Sequence, residues 1–60
     1  MTELLNSEEV VELLRITNTT LYTLINKQGL PAFKVGREWR FRREALEEWL
    51  QRKETEKKEN

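Results

Sequence analysis

Five cationic side chains, Lys34, Arg37, Arg40, Arg42 and Arg43, fall within ten residues and are interleaved with Phe33, Val35, Trp39 and Phe41. The chemistry open to such a set is recognition of a polyanion: guanidinium and ammonium groups neutralise phosphates while the apolar residues between them anchor a scaffold. Catalysis has no comparable candidates. Glu44 and Glu48 share a helix face, as a general acid and base would, but no nucleophile accompanies them, and a glutamate-rich helix surface is ordinarily just solvated. The chain contains no cysteine and no histidine. Disulfides, thiolate sites and imidazole ligands are therefore excluded, and neither a metal, a cofactor nor an enzymatic activity is expected.

Sixty residues make one domain at most, with a small core. The formal net charge is zero, which taken globally argues against a nucleic-acid partner, but its distribution is uneven. Residues 1–14 carry −4, residues 15–43 carry +6 and residues 44–60 carry −2. A cationic middle between acidic ends can focus potential on one face, because exposed charges more than about 8 Å apart are largely screened at physiological salt. No apolar run reaches the length of a membrane span, and no basic region followed by an apolar block opens the chain, so a soluble, cytoplasmic protein is expected.

Apolar periodicity divides the chain into elements. Ser7 is a fit N-cap, with Glu8 and Glu9 placed to favour the positive end of a helix, and Val10, Val11, Leu13 and Leu14 form its apolar stripe up to about Arg15. Leu4 and Leu5 are expected to pack beneath it. Ile16 lies in a tight connection, and Thr17 or Asn18 can cap a second helix from about Asn18 to Lys27. That helix buries Leu21, Leu24 and Ile25 and turns Asn18, Thr19, Thr23 and Asn26 outward. Gln28 and Gly29 end it, and Leu30-Pro31 leads out in extended geometry.

Residues 31–43 then alternate with a period of two around Gly36, the mark of a small β-hairpin. The alternation predicts Phe33, Val35, Trp39 and Phe41 on an anchoring face, with Lys34 and Arg40 on the opposite, free one. A third helix places Ala45, Leu46, Trp49 and Leu50 on one side and closes the core. From Gln51 on no large apolar residue remains, so 51–60 is expected to be a charged, fraying or disordered tail after a domain spanning 4–50, although Glu48 with Arg52 and Glu54 with Lys58 could support a fraying helical extension. Trp39 and Trp49 are core residues in this reading.

The expected fold is thus mainly α with a small β-hairpin, a winged helix-turn-helix. Its second helix would offer Thr17, Asn18, Thr19, Tyr22 and Thr23 to the major groove of duplex DNA, where Asn suits adenine and a Thr methyl can meet a thymine methyl. Tyr22 can bury its ring while its hydroxyl reaches a phosphate. The tip, Gly36-Arg37-Glu38, would be the wing, with Lys34, Arg37, Arg40, Arg42 and Arg43 supplying backbone or minor-groove contacts. Plainer readings stand beside each: solvated helix residues, an Arg37–Glu38 surface pair worth little, or Arg42 and Arg43 paired with Glu44, Glu47 or a residue of the first helix.

Over residues 4–50 the chain resembles the excisionase-like group of winged helix-turn-helix domains, related to the DNA-binding part of MerR-type regulators. The resemblance is carried by Ser7-Glu8-Glu9-Val10-Val11-Glu12-Leu13-Leu14, by Ile16-Thr17 with Thr20-Leu21-Tyr22 and Leu24-Ile25, by Leu30 to Gly36, and by Trp39-Arg40-Phe41 with Leu46-Trp49-Leu50. It implies major-groove reading by the second helix, wing contact with the backbone or minor groove, and a role in steering an integrase or in transcription control. Where that group often has basic residues early in the second helix, this chain has Asn18, Thr19 and Thr23, so the wing must carry more of the electrostatics. Self-association on DNA would add the specificity that so small a reader lacks. The rival reading is a protein-interaction module whose acidic helices meet a basic partner such as an integrase.

Overall fold

In the computed structural model, residues 3–58 are described, with the side chains of residues 57 and 58 excepted. The order of elements is β1 (Leu4–Leu5), α1 (Ser7–Leu14), α2 (Asn18–Lys27), β2 (Phe33–Val35), β3 (Glu38–Arg42) and α3 (Arg43–Lys58). Three helices thus surround a small antiparallel sheet of order β1-β3-β2, the mainly α winged helix-turn-helix that the sequence predicts.

Helix α1 begins one residue earlier in its capping than expected. Asn6, not Ser7, is the N-cap: its side chain accepts from the Glu9 N–H at 2.8 Å, and the Glu9 carboxylate accepts from the Asn6 N–H at 2.9 Å. This reciprocal capping box satisfies two backbone donors that the first turn leaves orphaned. The helix stops where Arg15 adopts the left-handed conformation, with φ 57°, and the Ile16 N–H returns to the Val11 carbonyl at 3.1 Å. Two residues later Thr17 caps α2, its hydroxyl accepting from the Thr20 N–H at 3.1 Å. Gly29, with φ 74°, turns the chain out of α2, and Leu30 is then buried.

The core consists of Leu5, Val10, Leu21, Leu30, Phe41, Leu46 and Trp49, so every element from β1 to α3 except the short edge strand β2 contributes. Leu5 and Leu4 do not lie together beneath α1. They form a strand that pairs with β3, Leu5 opposite Phe41 and Leu4 opposite Arg42, and side-chain alternation then buries Leu5 and leaves Leu4 exposed.

The hairpin register differs from the expected one by a single residue. Val35 faces Glu38, Lys34 faces Trp39 and Phe33 faces Arg40, so the turn consists of Gly36 and Arg37 alone. Gly36 has φ 66°, whereas Arg37 is not among the described residues of positive φ, the combination that favours a tight type II′ hairpin. Because strand side chains alternate, this one-residue change sends Phe33 and Val35 to the outward face with Arg40, and Lys34 to the inward face with Trp39 and Phe41. Lys34 is accommodated by laying its ammonium over the Trp39 ring, 5.1 Å from the centroid.

Residues 51–58 continue α3 as one helix; residues 59 and 60 of the expected tail lie outside the described residues. Side-chain contacts hold the extension where apolar burial cannot. Trp49 Nε1 donates to the Gln28 carbonyl at 3.1 Å, while Lys53 Nζ donates to the Gln28 side chain at 3.0 Å and sits 5.6 Å from the Trp49 ring centroid. The middle of α3, from Trp49 to Lys53, is thereby fastened to the end of α2.

Left-handed geometry costs an L-residue about 1–2 kcal/mol, while the extra unfolded-state freedom of glycine costs about 0.4–1 kcal/mol. Arg15→Gly is accordingly expected to leave stability unchanged or raise it by up to about 1 kcal/mol, and Asn6→Ala to lower it by about 1 kcal/mol. Urea unfolding followed by far-UV circular dichroism checks both; a clear loss in the glycine variant would show that the Arg15 side chain itself supports the corner.

Candidate nucleic-acid interface

The helix-turn-helix corner fixes what α2 can present. Leu21 is wholly buried and Leu24 and Ile25 are half-buried, which leaves Asn18, Thr19, Tyr22, Thr23 and Asn26 exposed on the other side. Two of the candidate readers use their hydroxyls locally. Thr17 caps the helix and donates to Thr20 Oγ1 at 3.0 Å, and Thr23 Oγ1 donates to the Thr19 carbonyl at 3.1 Å. Thr23 therefore offers its methyl outward more readily than a hydrogen bond. Asn18, Thr19 and Tyr22 make no side-chain hydrogen bond among the described residues, so their polar atoms are available to a ligand.

Beside this face stands the hairpin tip. A cleft of about 310 Å³ separates the start of α1 from the tip, with Tyr22 of α2 in its wall beside Arg37, Glu38, Trp39 and Arg40. Tyr22, Arg37 and Arg40 are thus brought together. Arg37, at the second position of the turn, is exposed and forms no ion pair among the described residues. Arg40 is different: its guanidinium donates to the Glu38 carboxylate at 2.9 Å and to the Trp39 carbonyl at 2.8 Å. Glu38 therefore pairs with Arg40, not with Arg37.

The remaining cations are dispersed. Lys34 lies on the inward side of the hairpin across Trp39, on the opposite side from Arg40. Arg42 is exposed on the outward face of the sheet, opposite Leu4. Arg43, the first residue of α3, bridges Glu3 at 3.3 Å and Glu47 at 3.4 Å, and its N–H donates to the Glu3 carbonyl at 2.9 Å. The pairing with Glu47 accounts for a cation at the helix end that the dipole disfavours.

Arg15 was not singled out by sequence, yet it stands exposed at the corner between α1 and α2, in a shallow groove shared with Glu12 and Asn18. Only its left-handed backbone puts it there, and nothing in residue spacing marks that. Asn6 and Ser7, which line the cleft beside Tyr22, had a usable signal: asparagine followed three residues later by glutamate is a capping-box spacing. Among the described residues no cluster of side chains could hold a metal ion, and no helix is long and apolar enough to cross a membrane.

Residues 4–54 match the helix-turn-helix domain family, and the chain belongs to that family. Two Mycobacterium tuberculosis sequences, from strains CDC 1551 and H37Rv, carry the names "Putative DNA-binding protein MT0521" and "Putative DNA-binding protein Rv0500A". Each is 38% identical to this chain over 50 residues, covering 83% of this chain and 64% of the relative. The uncharacterized protein YvgK of Bacillus subtilis is 45% identical over 42 residues, which is 70% of this chain but 14% of YvgK. The chain thus spans under two thirds of the length of each of these relatives. No solved structure is similar to it at a comparable level of significance.

The Arg40–Glu38 pair leads to a direct expectation. Glu38→Gln removes the carboxylate that occupies Arg40 and raises the net charge by one, so the variant should elute from a heparin column at higher salt than the parent chain. Elution at the same or lower salt would mean that Glu38 does not mask the cationic tip.

Proposed function

We propose that this chain binds duplex DNA without catalysis, α2 entering the major groove and the β2–β3 tip lying against the backbone or the adjacent minor groove. One observation carries the reading: the exposed side of α2, where Asn18, Thr19 and Tyr22 are free of internal partners among the described residues, reaches through Tyr22 the cleft onto which Arg37 and Arg40 also open. A helix of this width fits the major groove, and a cationic loop beside it supplies the sequence-independent attraction that holds the reader in register. Membership of the helix-turn-helix family and the names of the mycobacterial relatives support the same reading.

Roles divide by position. Asn18 and Thr19 at the start of α2 read base edges, with the Thr23 methyl in support and Thr17 contributing through the cap; Tyr22 directs its hydroxyl to a phosphate. Arg37 and Arg40 neutralise backbone charge and Lys34 assists from the inward side. Arg42 and Arg43 are given no groove contact, since Arg42 lies at the far end of β3 from the tip, opposite Leu4, and Arg43 is held by Glu3 and Glu47. Within this reading the chain acts as a recombination directionality factor or a small transcriptional regulator of the excisionase-like, MerR-related kind. Exposed Glu8 and Glu12 of α1 and Glu48 of α3 would meet a basic protein partner such as an integrase.

With about three cations at phosphates, log K should fall with log[salt] at a slope of about −2.7. Fluorescence anisotropy with a labelled duplex measures it. Arg37→Ala should weaken binding to all sequences and make the slope shallower by about 0.9, whereas Asn18→Ala should keep the slope and relax the preference at one base pair by about 1–3 kcal/mol. A salt-independent affinity, or two variants indistinguishable from the parent, would reject the assignment.

A further inference from the structure

Among the described residues Arg15 is the one non-glycine residue of positive φ, with φ 57° and ψ 52°. That conformation strains an L-residue and not a glycine, so a long side chain kept there calls for a use. Inside the fold it has none. Arg15 is exposed, and its side chain makes no ion pair or hydrogen bond among the described residues, although Glu8 and Glu12 line the same groove. A strained residue whose side chain is idle within the molecule points to a ligand outside it.

The position of Arg15 indicates which ligand. It precedes the Thr17 cap of α2 by two residues, and its groove runs on to Ile16 and Asn18. Asn18 and Tyr22 are four residues apart and so share one side of α2. At the Tyr22 end of that side stands the cleft with Arg37 and Arg40, at the Asn18 end stands the groove with Arg15, and Glu8 borders both. We infer that Arg15 contacts a DNA phosphate on the side of α2 away from the hairpin, an assignment that rests on the DNA-binding reading and adds a contact to it. A helix in the major groove has a sugar-phosphate backbone along either side. The hairpin cations meet one backbone and Arg15 meets the other. Glu8 and Glu12 keep the groove from being broadly cationic, so the contact is a single charge-assisted one, without preference for sequence.

Fluorescence anisotropy of the full chain with a labelled duplex of random sequence tests the assignment. With Arg15 added to about three hairpin cations, the slope of log K against log[salt] becomes about −3.6. Arg15→Gln should make it shallower by about 0.9, so that the parent's advantage over the variant shrinks about 3.5-fold between about 50 and 200 mM salt. Arg15→Lys keeps the charge and should keep the parent slope. Arg15→Gly should lose as much slope as Arg15→Gln while melting at the same or a higher temperature, a combination that a structural role of the side chain would not produce; it also serves if Arg15→Gln unfolds. Combined with Arg37→Ala, the two losses should sum to about 1.8. Arg37→Ala alone separates the two ways of failing. A slope that responds to Arg37→Ala and not to the Arg15 variants overturns this inference and leaves DNA binding standing, whereas a parent affinity indifferent to salt overturns both. A lysine variant that loses as much slope as the glutamine one would also reject the phosphate contact.

Discussion

The seating of Phe41 is the constraint on which the rest of this small protein depends. It is fully buried at the middle of the sheet, directly opposite Leu5, on a strand that pairs with β1 on one side and β2 on the other. Val10 of α1, Leu21 of α2 and Leu46 of α3 are also fully buried in the same cluster. Once Phe41 points inward, alternation dictates that Trp39 does too and that Arg40 and Arg42 point out. The angle between α2 and the hairpin, and with it the cleft beside Tyr22, is a by-product of how these few side chains fill one space.

The helices were readable because their signals are local and redundant. Leu21, Leu24 and Ile25 repeat at helical spacing, Thr17 precedes them as a cap and Gly29 follows them as a stop, so three independent features agree on α2. The strands were less readable. The alternation of Phe33, Val35, Trp39 and Phe41 is genuine within each strand, but whether two strands share a face depends on the length of the turn, and a loop of Gly36-Arg37-Glu38 and a loop of Gly36-Arg37 give opposite answers. The strand Leu4–Leu5 is two residues long and exists only because β3 offers it an edge, which no local pattern announces. For the extension of α3 beyond Leu50 the local signal is slight, the spacing of Glu48 with Arg52 and of Glu54 with Lys58, and the contact that ties Lys53 to Gln28 joins residues far apart in sequence.

For the candidate interface, residue types were legible and placement was not. The cluster of cations between Lys34 and Arg43 is dense in the chain, yet folding distributes it: Lys34 inward, Arg37 at the tip, Arg40 held by Glu38, Arg42 outward and Arg43 tied to Glu3 and Glu47. Charge that looks like one patch in sequence is spread over both faces of the hairpin, its tip and the start of α3. A neutral molecule with a single free arginine at the tip and an uncharged exposed side on α2 is a restrained binder, whose attraction to a polyanion is concentrated at separate points instead of spread along a face.

The two-residue hairpin turn sets a rule for how this fold can drift. Lengthening the tip by one residue must either be absorbed as a bulge or exchange the two sides of β2, pulling Phe33 and Val35 under and expelling Lys34 from its place over Trp39. Insertions and deletions there are consequently tolerated in pairs. Wing length among related chains then carries information about parity, and an odd difference between two aligned hairpins marks either a bulge or a sheet whose outer surface has been rebuilt.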